Sequence, residues 1–185
     1  VIDYSVHNLV TDVCDEFLQE IPALVGEGFP SFKLMMTYVG KKLDDAALLR
    51  IFEVTSECGG IGYLHCENDA MVSHLINANV ARGNTAPYYH ARSRPPLAEA
   101  EATHRAIRLA ELTNAAICIA HVTNADSADH IAGARNRGLP VVAETCPHYL
   151  TLTDEVFDLS AGFEAAKFVC SPPMRVSIER MAPTI

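Results

Sequence analysis

The sequence predicts an α/β fold of the parallel (β/α)8-barrel type, here a partial barrel. Short apolar runs alternate with longer amphipathic ones, which is typical of parallel strands separated by helices. Reactive side chains, among them Lys33, His65 and His121, fall within or at the ends of the apolar runs. Catalytic groups of such barrels lie at the C-terminal ends of several strands. Because a full barrel takes about 250 residues, a chain of 185 residues is expected to be a piece of one.

The predicted strands are nearly continuous apolar runs, a pattern that indicates a parallel sheet covered on both faces. Five or six strands are expected, at 4–10, 31–36, 61–66, 115–123, 139–146 and 163–173. The last of these, "FEAAKFVCSPP", ends in two consecutive prolines. A doubly wound sheet is the competing arrangement. It would usually carry a glycine-rich phosphate turn, and neither GxGxxG nor GxxxxGK[ST] occurs, so the barrel is favoured.

The predicted helices are the amphipathic segments between those strands, at 11–28, 44–60, 69–83, 97–113 and 125–138. Glycines such as Gly83 stand where several of them should end. The helix over 97–113 follows Pro96 and consists of good helix formers. Between the third and fourth helices, "NTAPYYHARSRPP" has the proline and polar content of a loop. Its thirteen residues are long enough to suggest a functional role.

Composition and charge favour small-molecule chemistry. A net charge of -9, from 14 basic and 23 acidic residues, argues against binding to nucleic acid or an anionic membrane. No window reaches the roughly 18 apolar residues that a membrane span needs. The six cysteines form no CxxC pair, so we expect free thiols in a reducing compartment and a cytoplasmic protein.

Lys33 is the least ordinary residue of the predicted strands, because "SFKLMMTY" places an ammonium among apolar neighbours. Lysine is almost never fully buried without a partner, and the simplest explanation is a side chain that reaches to the barrel mouth. Burial would also lower its pKa, leaving a neutral amine able to act as a nucleophile, form a Schiff base or add carbon dioxide to become a carbamate. Taken singly, His65 and His121 are more often rim residues than metal ligands.

Six motifs together resemble the cyclic amidohydrolases, meaning dihydropyrimidinases and D-hydantoinases, with allantoinase and dihydroorotase more distant. They are "SFKLMMTY", "HCEN", "YYHARSRPPLAEAEAT", "HVT", "ETCPHYL" and "SPPMR". The resemblance implies a metal-dependent amidohydrolase barrel with two zinc ions bridged by carboxylated Lys33, one of them bound by His65 and His121. It further implies that the phenol of Tyr38 stabilises the oxyanion and that the main chain of Ser171 holds the substrate's ring amide.

The reaction implied by this resemblance is zinc-dependent opening of a cyclic ureide or imide by a hydroxide that bridges the metals. Dihydrouracil would give N-carbamoyl-β-alanine, and a hydantoin would give an N-carbamoyl amino acid. Family resemblance also implies a homotetramer. Two alternatives stay open: an allantoinase, which "ETCPHYL" also resembles, and a non-catalytic scaffold protein of the same fold. Tyr38 favours the hydantoinase side, and retention of Lys33, His65 and His121 argues against the scaffold.

Several features depart from the resembled pattern. The HxH pair of the first barrel strand and the aspartate of the last are missing, and His7 has no histidine two residues away. Cys66 and Asp69 stand where hydantoinases often have Ala and Gly, and "RVSIERMAPTI" matches no motif. We therefore expect residues 1–185 to be the central segment of a barrel, without its first and last strands and without the family's β-sandwich domain.

Overall fold

A parallel five-stranded sheet forms the centre of the structure, a computed structural model that describes residues 4–176. Its strands are β1 (Asn8–Val10), β2 (Ser31–Met35), β3 (Ile61–His65), β4 (Ala116–Ile119) and β5 (Val141–Ala143). The order across the sheet is the order along the chain, and every neighbouring pair is parallel. Five strands therefore lie within the described residues.

Helices connect the strands: α1 (Asp15–Gly26), α2 (Asp45–Cys58), α3 (Asp69–Ala81), α4 (Pro87–Arg92), α5 (Pro96–Thr113), α6 (Ala125–Asn136) and α7 (Pro147–Thr151). The side chains of Asp44, Asn68 and Asn124 cap α2, α3 and α6 by accepting hydrogen bonds from first-turn amides. These caps fix where the three helices begin after their strands. Between residues 4 and 176, no helix is long and apolar enough to cross a membrane.

The two faces of the sheet differ in how deeply their side chains are buried. Phe32, Leu34, Leu64 and Ile117 point to the face covered by the helices and are fully buried there. Lys33 and its neighbours on the other face are only half-buried. Strands that follow chain order, with their helices on one side, form the wall of a barrel, whereas a doubly wound sheet reverses its strand order. The predicted barrel type is confirmed, but the expectation that both faces are covered is wrong for the described residues.

Two predicted elements are wrong. The expected strand at 163–173 is replaced by 3-10 helices at Asp154–Phe157 and Leu159–Phe168. Its apolar residues do not pair with β5, because Phe168 instead packs against a small second core formed by Tyr149, Phe157 and Met174.

The predicted loop at 84–96 contains helix α4, which begins at Pro87. Proline at the first helical position is compatible with a helix, so the proline content there was misleading. Residues 1–3 and 177–185, which include most of "RVSIERMAPTI", lie outside the described part of the chain.

Candidate active site

The carboxyl ends of β2, β3 and β4 bring the predicted site residues to one edge of the sheet. In the register, Lys33 lies beside Tyr63 and Met35 beside His65. The amide of Met36 donates to the carbonyl of His65 at 3.1 Å, which holds the two strand ends together. His121 follows β4 by two residues. Parallel pairing therefore places Lys33 two register positions before His65 on the same face of the sheet, with His121 just beyond the end of β4.

The two histidine rings face each other through their nitrogens. Nδ1 of His65 lies 3.1 Å from Nε2 of His121, and the ring centroids are 4.7 Å apart. The other nitrogen of His65, Nε2, lies 2.7 Å from Oε2 of Glu67. An ionised carboxylate only accepts hydrogen bonds, so Nε2 of His65 carries the hydrogen of this contact, and Nδ1 is the nitrogen that faces His121.

Glu67 is buried, yet it is arranged to stay ionised. Burial alone would raise its pKa, but the hydrogen bond from His65 and the charge of Arg94 outweigh that effect and lower it. Nη1 of Arg94 donates to the same carboxylate oxygen that accepts from His65. The guanidinium also lies over the ring of Tyr38, 5.1 Å from its centroid. Arg94 thus contacts both Glu67, which supports His65, and the ring of Tyr38.

His121 is held as a neutral ring in a strained backbone. Its φ of 44° is uncommon for a residue with a Cβ. Burial, followed by the charges of His65 and Lys33, lowers its pKa to about 3. Within residues 4–176, Nδ1 of this ring is buried and has no hydrogen-bond partner. The other nitrogen, Nε2, faces His65, and a neutral imidazole nitrogen is a common metal ligand.

Lys33 lies half-buried on the same face, with its Nζ 4.5 Å from the centroid of the Tyr63 ring. Burial lowers its pKa, although the nearby Cys66, Glu144 and Cys118 act in the opposite direction. Desolvation therefore favours the neutral amine, which is the form that could add carbon dioxide.

Tyr38 lies against the histidine pair, with its ring centroid 5.0 Å from that of His65. Burial raises the pKa of its phenol, while a hydrogen bond with Ser171 and the charge of Arg94 oppose the rise. The phenol is therefore a hydrogen-bond donor at neutral pH. Its φ of 83° is a backbone strain of roughly 1–3 kcal/mol, the kind of outlier that accumulates at functional sites.

Ser171 reaches this site from the far end of the described chain. Its Oγ lies 3.3 Å from Nε2 of His90, a nitrogen that is also 2.9 Å from the carbonyl of Cys170. The segment is anchored by Arg175, which donates to the carbonyl of Arg94 at 2.5 Å and to Glu99 at 3.0 Å. Residues far apart in the sequence are thereby fixed around Tyr38.

Zinc fits the donors that the described residues provide. Two nitrogens bound at about 2.05 Å to one tetrahedral ion lie about 3.3 Å apart, close to the 3.1 Å between His65 and His121. A carboxylate on the remote nitrogen of a ligating histidine, as Glu67 is here, is the usual support of such a ligand. Residues 4–176 contain no group of three or more His, Cys, Asp or Glu placed to hold a metal. The described residues thus offer two histidine nitrogens to a metal ion, and no third His, Cys, Asp or Glu placed to bind the same ion.

Comparison with known proteins identifies relatives over nearly the whole chain. D-hydantoinase of Streptomyces coelicolor is 44% identical over 176 residues, which is 94% of this chain and 37% of that protein. The segment is homologous to the D-hydantoinases and dihydropyrimidinases. No protein-family model matches it.

Solved structures of hydantoinases share the fold. D-hydantoinase from Bacillus sp. AR9 superposes with a TM-score of 0.92 at 38% identity, covering 97% of this chain and 39% of that one. Dihydropyrimidinase from Brevibacillus agri NCHU1002 superposes with a TM-score of 0.91 at 40% identity, over the same shares of the two chains. These neighbours are amidohydrolase barrels, and the described sheet is consistent with part of one. The chain spans well under half of these hydantoinases' length.

All five residues predicted from the hydantoinase resemblance, Lys33, Tyr38, His65, His121 and Ser171, lie in this one region. Their roles as metal ligands and substrate contacts stay predictions.

Sequence reasoning missed Glu67 and Arg94. Glu67 could have been identified in "HCEN", because a residue two positions after His65 can point to the same side of an extended segment. Arg94 lies in the segment predicted as a loop, and no sequence signal pairs it with Glu67.

Proposed function

We propose that the protein to which this segment belongs hydrolyses the cyclic amide bond of dihydropyrimidines or hydantoins with zinc. The observation that carries the proposal is the histidine pair, with nitrogens 3.1 Å apart and one ring held by Glu67, in a hydantoinase homologue. Dihydrouracil would be opened to N-carbamoyl-β-alanine, and a hydantoin to an N-carbamoyl amino acid.

In this proposal Lys33 would be carboxylated and would hold two zinc ions, and His65 and His121 would bind one of them. Burial lowers the pKa of Lys33, which supports the first assignment, because only the neutral amine adds carbon dioxide. When bound, zinc supplies Lewis acidity and a hydroxide nucleophile at neutral pH. Two ions need more ligands than residues 4–176 provide, so the others would come from further barrel strands of the whole protein.

The remaining residues bind and orient the ring. The protonated phenol of Tyr38 would donate a hydrogen bond to the carbonyl oxygen as it becomes negative, and the main chain of Ser171 would hold the ring amide. Glu67 would keep the hydrogen of His65 on Nε2, so that Nδ1 stays free for the metal. We further infer a cytoplasmic protein from cysteines that form no CxxC pair. From the family resemblance, we infer a homotetramer in which residues 1–185 are the central barrel segment.

The test uses the full-length protein that carries this segment. We expect about two zinc ions per subunit and turnover of dihydrouracil or hydantoin, with allantoin as the competing ring. His121→Ala should lose metal and turnover, whereas His104→Ala, which changes an exposed histidine of α5, should lose neither. Zinc-loaded protein that opens none of these rings would contradict the proposal.

A further inference from the structure

The loop that carries Tyr38 is wound tightly between β2 and α2. The carbonyl of Tyr38 accepts hydrogen bonds from the amides of Lys41 and Lys42, at 3.1 and 2.9 Å. At the base of the loop, the amide of Leu43 donates to the carbonyl of Met35 at 2.8 Å. A bulky residue at φ 83° is unfavourable unless its surroundings enforce that conformation. The position of the phenol therefore depends on contacts that hold this loop.

One carboxylate provides such contacts from outside the loop. Asp69, the first residue of α3, accepts a hydrogen bond from Oγ1 of Thr37 at 3.0 Å on one oxygen. Its other oxygen accepts from Nζ of Lys42 at 2.5 Å. Thr37 immediately precedes Tyr38 and is buried, while Lys42 closes the turn that follows. The carboxylate thus contacts the loop on both sides of the tyrosine, through a buried hydroxyl before it and an exposed ammonium after it.

The charge state of Asp69 agrees with this role. Burial alone would raise its pKa, but hydrogen bonds from Lys42 and Thr37, the charge of Lys42 and the backbone amide of Tyr38 together lower it. The hydrogen bonds from Thr37 and Lys42 are therefore the main contacts that keep this carboxylate ionised. A carboxylate at this position is also one of the departures of "HCEND" from the resembled pattern.

We propose that Asp69 is a positioning residue, which fixes the backbone of Tyr38 and so aims its phenol at the site formed with His65. Catalytic geometry is sensitive to displacements of about 1 Å, so release of the loop should appear in turnover. This inference rests on the proposed function for the catalytic role of the phenol. Whether Asp69 stabilises the loop can be measured separately.

The competing explanation is an ordinary surface aspartate. The Lys42 side chain is 53% exposed, and exposed ion pairs contribute little. An aspartate in the first turn also stabilises its helix through the dipole. Asp45 is a matched control, because it occupies the first turn of α2 and its carboxylate pairs with Arg105 rather than with Thr37 or Lys42.

Two substitutions separate the contacts of Asp69. Asp69→Ala removes every contact of the carboxylate, whereas Lys42→Met removes only the exposed ion pair. If Asp69 acts through the buried hydroxyl of Thr37, Lys42→Met should retain most of the turnover.

The experiment measures amide hydrogen exchange over residues 37–43, together with kcat and KM, in the zinc-loaded full-length protein. We expect Asp69→Ala to accelerate exchange in this segment about tenfold or more and to lower kcat about tenfold. Its zinc content should stay at the parent level. Lys42→Met and Asp45→Ala should change kcat by less than about twofold. In a Tyr38→Phe background, Asp69→Ala should have almost no further effect on kcat.

Unchanged exchange in Asp69→Ala, or the same fold-loss of kcat with and without the phenol, would overturn the role of Asp69. Should the parent enzyme open no ring, the proposed function fails, and the exchange measurement alone then decides whether Asp69 holds the loop.

Discussion

Glu67 gives the sharpest structural prediction, because one buried carboxylate serves both a histidine and an arginine. The Arg94 and Glu67 side chains are 6% and 1% exposed. In Glu67→Gln, Arg94 keeps its charge but loses its counter-ion, and breaking such a buried pair typically costs about 3–5 kcal/mol in the free energy of unfolding. His65 loses the carboxylate that fixes its hydrogen on Nε2, and changes of this kind lower metal affinity about 10- to 100-fold.

A double substitution separates these two effects. Glu67→Gln with Arg94→Met removes both charges, so much of the lost stability should return. Zinc affinity should stay low, since His65 still lacks its carboxylate. Denaturant unfolding of the metal-free full-length protein measures the first quantity, and zinc competition with a chelator measures the second. Zinc affinity of Glu67→Gln within about twofold of the parent would refute the role given to the carboxylate.

Three further predictions concern turnover, acid stability and the isolated segment. Tyr38→Phe should lower kcat about 100- to 1,000-fold with both metals retained; a loss within about twofold would leave Tyr38 as an ordinary rim aromatic. The pKa of Glu67 lies below its ordinary value of 4.5, so its stabilising effect is present above that pH and is lost as the pH falls through the lowered value. The stability gap between the parent and Glu67→Gln should therefore stay constant above about pH 5 and shrink as the pH falls below about 4.5 in denaturant unfolding. The isolated 185-residue chain should bind zinc weakly and be inactive, because its sheet has open edges and part of the ligand set is missing; ring opening by the purified chain would contradict this.

The sheet and most helices could be predicted because their signals are local. Apolar runs such as those around Phe32 and Leu64 form strands in register, and Gly59 ends α2 in the left-handed conformation that glycine favours. The strand predicted at 163–173 was wrong because an apolar run does not show which part of the chain it packs against. Phe168 packs on Tyr149 and Phe157 and does not extend the sheet. Pairing is a tertiary property that a single segment does not encode.

Some residues of the candidate site could likewise be predicted from local sequence, and others could not. Lys33, His65 and His121 stand out because polar or ionisable residues are unusual in apolar runs. Arg94 does not, because its pairing with Glu67 spans 27 positions and depends on α4, which was predicted as loop. The left-handed backbone of Tyr38 was also unpredictable, since nothing in "MMTYVG" marks a tyrosine for a conformation that glycine usually adopts.

The zinc content of full-length Lys33→Ala tests the central proposal most directly. Lys33 is the residue assigned to both metals, so its truncation should remove zinc and turnover together. Short carboxylic acids should restore part of the turnover by replacing the missing carbamate. If Lys33→Ala keeps two zinc ions per subunit, Lys33 is not the bridge and the proposed metal site is wrong.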